Sequence, residues 1–140
     1  MNNRIAILSD IHGDTTALKA VIANARALGA TEYWLLGDIL LPGPGRDDLF
    51  DLLDAIPITA AVRGNWDDCI LEALDGEYGL EDPQEIQLLR LTQYLMEGLD
   101  PKRIDWLRSL PLVEKKEVNG IRFSLTHNLP EKNYGGDLRP

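Results

Sequence analysis

Four extended apolar runs in this chain all stop on the same kind of residue. "RIAILS" (4–9) runs into Asp10, with His12 just beyond; "EYWLLGD" closes on Asp38, "ITAAVRGN" on Asn65 and "IRFSLTH" on His127. Helical stretches separate the first three runs. Residues 15–28 place Leu18, Val21, Ile22, Ala25 and Leu28 on one stripe, with Asp14 as N-cap and Gly29 as the residue that ends the helix. Residues 46–56 repeat the pattern with Leu49, Leu52, Leu53 and Ile56. A βαβαβ order implies parallel strands, whose C-terminal ends gather at one edge where ligands bind. If the last strand runs with the others, Asp10, His12, Asp38, Asn65 and His127 converge on one rim.

The second half reads as three helices, over 67–74, 83–99 and 101–110. Asp82 and Asp100 cap the last two, each followed by Pro in the first turn. "LVEKKEVNGIRFSLTHN" then holds Asn119-Gly120 between two extended runs, a hairpin signal. Residues 128–140 read as loop. The 140 residues suit one domain, 1–140.

The residue types on the rim fit a metal. Carboxylate and carboxamide oxygens mixed with imidazole suit manganese, iron or zinc, whereas calcium disfavours histidine. Both histidines of the chain fall at these strand ends. Asp10 and His12 are two apart, so an extended segment presents both on one side. Gly37 and Gly64 carry no Cβ and let backbone approach closely beside Asp38 and Asn65.

Charge narrows the function further. A net charge of −9 argues against a sequence-independent grip on nucleic acid, which needs a basic footprint. It would also repel a phosphate unless a bound cation reversed the local field. No apolar run is long enough to span a bilayer, and nothing near the start reads as a signal peptide. The single cysteine, Cys69, cannot form an internal disulfide and reads as a small buried residue. The expected setting is the cytoplasm. A dinucleotide-binding module is the poorer match: "DIHGD" follows the first strand in place of Gly-x-Gly-x-x-Gly, and no phosphate-binding Gly-Lys-Ser/Thr loop exists.

Taken together, "SDIHGD", "LLGDIL", "RGNWDD" and "LTHN" resemble the motifs of the calcineurin-like metallophosphoesterases, in the family's order and across positions 9–128. The resemblance implies an α/β fold, an incomplete version of that family's four-layer αββα sandwich. It implies hydrolysis of a phosphate mono- or diester at two divalent metals bridged by a carboxylate and a hydroxide, manganese foremost, with iron or zinc as alternatives. Asp10 and His12 would hold the first metal, Asp38 would bridge, and Asn65 and His127 would hold the second. Asp38, Asn65 and Asp67 are the candidate catalytic positions, Asp67 matching the family's acid. Arg63 is a candidate aid to the chemistry or a structural arginine.

Two departures qualify the resemblance. Trp66 stands where the family's third motif carries a histidine thought to protonate the leaving oxygen or to stabilise charge near it. No histidine follows His127, whereas the family continues into a Gly-His-x-His motif that completes both metal shells. The expectation is a C-terminally truncated domain: a natural truncation, half of a split gene, or a piece. Its alternative function is that of a catalytically weak or inactive remnant binding metal or a protein partner. Ile121, Phe123 and Leu125 form one apolar face of the last strand, expected to lie uncovered. That face leads to an expected homodimer through the hairpin, unless a separate chain supplies the missing half.

Overall fold

The computed structural model describes residues 3–131. The part of the expected C-terminal loop at 132–140 lies outside the described residues. Three strands, β1 (Ile5–Leu8), β2 (Glu32–Leu35) and β3 (Ile58–Ala61), form a parallel sheet in the order β1-β2-β3. Ile5 pairs with Glu32 and Leu8 with Leu35; Leu35 in turn pairs with Ala61. Side chains alternate across a strand, and β2 uses both faces. Tyr33 and Leu35 enter the core under the helices, and Trp34 enters a second core on the opposite face. All three are about 1% exposed, so β2 is buried on both sides.

Helices α1 (Thr15–Ala27), α2 (Asp47–Asp54), α3 (Asn65–Leu74), α4 (Pro83–Met96) and α5 (Pro101–Ser109) contribute to the first core. The caps form as the sequence implies. Asp14 accepts from the Ala17 N–H at 2.8 Å, Asp82 from Gln84 at 2.7 Å and Asp100 from Lys102 at 3.0 Å. Each satisfies a backbone donor that the helix itself leaves unpaired. Gly29, at φ +82°, ends α1. The stripe on α1 is narrower than expected. Leu18 and Ile22 are buried, but Val21 and Leu28 are exposed beyond the edge of the helix contact.

Strands β4 (Val113–Val118) and β5 (Ile121–Thr126) pair antiparallel, with Asn119 and Gly120 both at positive φ in the turn. The last strand therefore does not join the parallel sheet. The hairpin packs on the sheet's second face instead, with Leu125 and Val118 against Trp34, Ala60 and Val62. The Phe123 ring meets Trp34 edge-on at 5.4 Å. The apolar face expected to lie uncovered is covered only in part: Leu125 is buried, while Phe123 keeps 37% and Ile121 61% of its surface. The β3 edge is closed by side chains of β4: Lys116 Nζ donates to the Thr59 carbonyl and Glu114 accepts from the Ala61 N–H. Among the described residues the layers are helices, parallel sheet and hairpin. No helix among them is long and apolar enough to cross a membrane.

The second and third strands stop earlier than the apolar runs do. Beyond Leu35 and Ala61 the chain leaves the ladder and turns, because the residues that follow build the site.

Candidate metal centre

Asp10, His12 and Asp38 all sit in the left-handed region, at φ 57°, 50° and 54°. Asp and His tolerate that region better than most residues, but it is still uncommon, and such residues cluster where a side chain must be aimed. Backbone bonds fix the turn: Asp10 N–H donates to the Gly37 carbonyl at 3.1 Å and His12 N–H to the Asp38 carbonyl at 2.8 Å. The first ligand loop is therefore braced against the second. Gly64 completes the frame, because a Cβ there would collide with the Asp38 carboxylate and backbone. A Cβ at Gly37 would collide with the backbone of Gly64. These two glycines are required by close approach.

The side chains converge on one atom. His12 Nε2 lies 3.5 Å and His127 Nε2 lies 3.4 Å from Oδ2 of Asp38. Asp10 Oδ1 is 3.6 Å from His12 Nε2, and Asn65 Oδ1 is 2.9 Å from His127 Nε2. Ligands held ~2.0–2.2 Å from one cation stand roughly 3.0–3.6 Å from each other in tetrahedral or octahedral shells. The donor set falls near this spacing on both sides of Asp38. Asp10, His12 and Asp38 alone bring three ligand atoms within 4.8 Å of one another.

Four of the five residues are oriented by a second contact. His12 donates from Nδ1 to the Leu41 carbonyl at 2.8 Å, and His127 donates from Nδ1 to the Leu36 carbonyl at 2.5 Å. Both rings thus turn Nε2 toward Asp38, the arrangement that orients a ligating histidine. Asp38 is 2% exposed; its Oδ1 accepts from the Trp66 N–H in the first turn of α3, leaving Oδ2 for the histidines. Asp10 is held by the Ser9 hydroxyl through Oδ2. The carboxylate of Asp38 raises the His127 imidazole to about 9, aided by the Leu36 carbonyl and opposed by burial. A cation bound there displaces that proton.

The structure places all five expected ligand residues at one rim. Asn65 arrives differently from the expectation: it opens α3 and does not end a strand. His127 arrives from the second sheet, one residue beyond β5. Asp67 differs more. It is fully buried, and its carboxylate accepts from the backbone N–H of Asp38, Ile39 and Gly64 at 2.8, 3.0 and 2.9 Å. Burial pushes its pKa up to about 6 against the pull of those amides. A group so enclosed does not reach a substrate; it ties the Asp38 loop to the α3 N-terminus. Arg63 also turns to structure, bonding Asp68 and the Leu110 carbonyl at the end of α5. Trp66 lines the centre, its indole edge-on to His12 with ring centroids 5.7 Å apart. The carbonyls of Leu36 and Leu41 have no sequence signature and were not foreseen.

The sequence model of the calcineurin-like phosphoesterases matches residues 3–138. The chain belongs to the calcineurin-like phosphoesterase family. A crystal structure of a metallophosphoesterase from Sphaerobacter thermophilus superposes with a TM-score of 0.59 at 30% identity, covering 81% of this chain and 44% of that one. An uncharacterised protein of Methanocaldococcus jannaschii is 27% identical over 135 residues, 94% of this chain and 51% of its own length. The chain spans about half the length of the relatives it matches. Its fold is the metallophosphoesterase-like α/β fold, and Asp10, His12 and Asp38 are candidate metal-binding residues of that family's kind.

Proposed function

We propose that the chain hydrolyses a phosphate mono- or diester at a dinuclear centre, with Asp10 and His12 on one metal, Asn65 and His127 on the other, and Asp38 between them. The observation that carries this reading is the single oxygen of Asp38 facing Nε2 of both histidines at nearly equal distances. Manganese is the metal first expected, with iron or zinc as alternatives. Two such cations, when bound, offset phosphoryl charge and activate a water at neutral pH. The chain's own residues do the rest. Asp38, anchored through Oδ1, keeps Oδ2 fixed between the two sides. The Nδ1–H bonds of His12 and His127 hold their rings in register. Asp67 positions the Asp38 loop and does not exchange protons with substrate. This rim, once its residues held cations, would offer phosphate the attraction that a chain of net charge −9 lacks.

A second reading rests on Trp66. Indole is neither acid nor base at neutral pH, so the side chain at the family histidine's position cannot protonate a leaving oxygen. On that reading the chain binds metal or a partner with little turnover. Hydrolysis of p-nitrophenyl phosphate and bis(p-nitrophenyl) phosphate by the manganese-treated protein decides between them. The enzyme reading predicts turnover that chelator and Asp38→Ala both abolish. Metal binding without turnover of either ester supports the second reading.

A further inference from the structure

The two edges of the parallel sheet differ. The β3 edge is closed by Glu114 and Lys116 of β4. At the other edge, β1 pairs with β2 alone among the described residues. Its sequence, IAIL, carries no proline or lysine, and its ladder has no bulge, the devices that keep an edge strand from pairing. The carbonyls of Arg4 and Leu8 accept from the N–H groups of Thr31 and Leu36, and the Asp10 N–H donates to the Gly37 carbonyl. Residues 4, 8 and 10 therefore direct their backbone groups to the β2 side. A strand repeats every two residues, so Ile5, Ile7 and Ser9 direct theirs to the free side. We infer that this edge is the interface of a twofold homodimer, in which β1 pairs antiparallel with β1 of a second copy about an axis at Ile7.

A second copy suits this edge because the edge is complementary to itself. About that axis Ile7 stands opposite Ile7 and Ile5 opposite Ser9, so the free-side residues meet and about six backbone hydrogen bonds form. Ala6 then stands opposite Leu8, which keeps the helices of both copies on one face of a continuous sheet. Charge reverses along the edge as well. Arg4 precedes β1, whereas Asp10 and Asp14 follow it. Arg4 is exposed, although its guanidinium also donates to the Leu28 carbonyl. Antiparallel pairing turns the Arg4 of each copy toward the acidic end of the other. A groove of about 280 Å³ lies at the same edge, lined by Ile7, Leu8, Leu18 and Val21 as well as Asp10 and Asp14. Ile7 is 55% and Val21 44% exposed, apolar surface that the pairing covers. A twofold contact uses the edge up and stops at two copies. The homodimer expected through the hairpin is thus assigned to β1.

Sedimentation equilibrium of the full chain and of three variants tests this. The unaltered protein should be a dimer at about 100 µM, the scale for an interface of modest area. Ile7→Lys sets like charges face to face at the axis and should weaken the dimer about 100-fold or more. Val21→Lys, on the exposed side of α1, should weaken it about tenfold and serves where Ile7→Lys fails to fold by circular dichroism. Ile121→Lys, on the exposed part of the hairpin, should leave the dimer unchanged. Amide exchange reads the pairing itself: the Ile7 N–H should exchange more slowly as protein concentration rises. A monomer at about 100 µM overturns the inference, as does a dimer that both Ile7→Lys and Val21→Lys leave intact. A dimer broken by Ile121→Lys alone overturns it too and returns the interface to the hairpin.

Discussion

The indole of Trp66 stands edge-on to the imidazole of His12, with ring centroids 5.7 Å apart and planes at 84°. The side chain at the family histidine's position therefore lines the centre and is not turned away from it. A histidine built there would occupy the same neighbourhood and could carry a proton. Trp66→His is predicted to raise turnover of esters with poor leaving groups, such as phenyl and alkyl phosphates, by about 10²-fold, the lower part of the range for general acid catalysis. Turnover of nitrophenyl esters should change little. Rates plotted against leaving-group pKa for both proteins check this; parallel lines would exclude proton donation at position 66.

Asp67 is predicted to be a stability residue. Asp67→Ala leaves the backbone N–H groups of Asp38, Ile39 and Gly64 buried without that acceptor. Loss of such a buried network costs about 3 kcal/mol or more. Urea unfolding should show that loss, with a fall in manganese affinity because the Asp38 loop loosens. A variant as stable as the parent would contradict the positioning role.

The pH dependence of the metal-free protein follows from His127. Its folded value of about 9 lies above the ordinary 6.5, so the stabilisation from Asp38 is complete below pH 6.5 and is lost as pH rises through 9. The thermal midpoint of chelator-treated protein should fall across that window. Asp67, raised to about 6 from 3.8, makes its own loss lower down, between those two values. Manganese affinity should rise over the window in which His127 gives up its proton. Scanning calorimetry from pH 6 to 9.5 checks the first effect. In Asp38→Ala the midpoint should be nearly flat between 6.5 and 9.

The hairpin is predicted to matter for folding. Phe123 meets Trp34 edge-on, and Leu125 is buried beside it. Phe123→Ala should cost about 2 kcal/mol, less than a fully buried phenylalanine because part of the ring is exposed. Since His127 follows β5, the same variant should weaken metal binding modestly. Chemical unfolding with a manganese titration measures both; no change in either would mean that the hairpin docks independently of this ring.

How far the sequence could be read depended on what each residue contacts. Strand ends bearing Asp10, His12 and Asp38 were legible because periodicity locates strands and parallel topology gathers their ends; His127 reaches the same rim from the separate antiparallel hairpin, by a route that parallel topology does not supply. The caps at Asp14, Asp82 and Asp100 were legible because capping is local. The place of Asp67, a candidate catalytic position, was not legible: it is buried on three backbone amides. Its neighbours, the amides of residues 38 and 39, are distant in sequence and chemically anonymous. The hairpin face was legible in part: Ile121 and Phe123 stay exposed as expected, while nothing local announces that Leu125 is covered by Trp34, Ala60 and Val62. The carbonyls of Leu36 and Leu41, which aim both histidines, lie in backbone that any residue would supply.

Asp38 would hold both metals of the proposed centre, its Oδ2 facing Nε2 of His12 and of His127. Electron paramagnetic resonance of the protein titrated with manganese tests it most directly. Two manganese ions per chain with a spin-coupled signal are expected, and Asp38→Ala should abolish the coupling and weaken binding on the order of 100-fold. Binding of a single uncoupled ion, or of none at millimolar manganese, would contradict it.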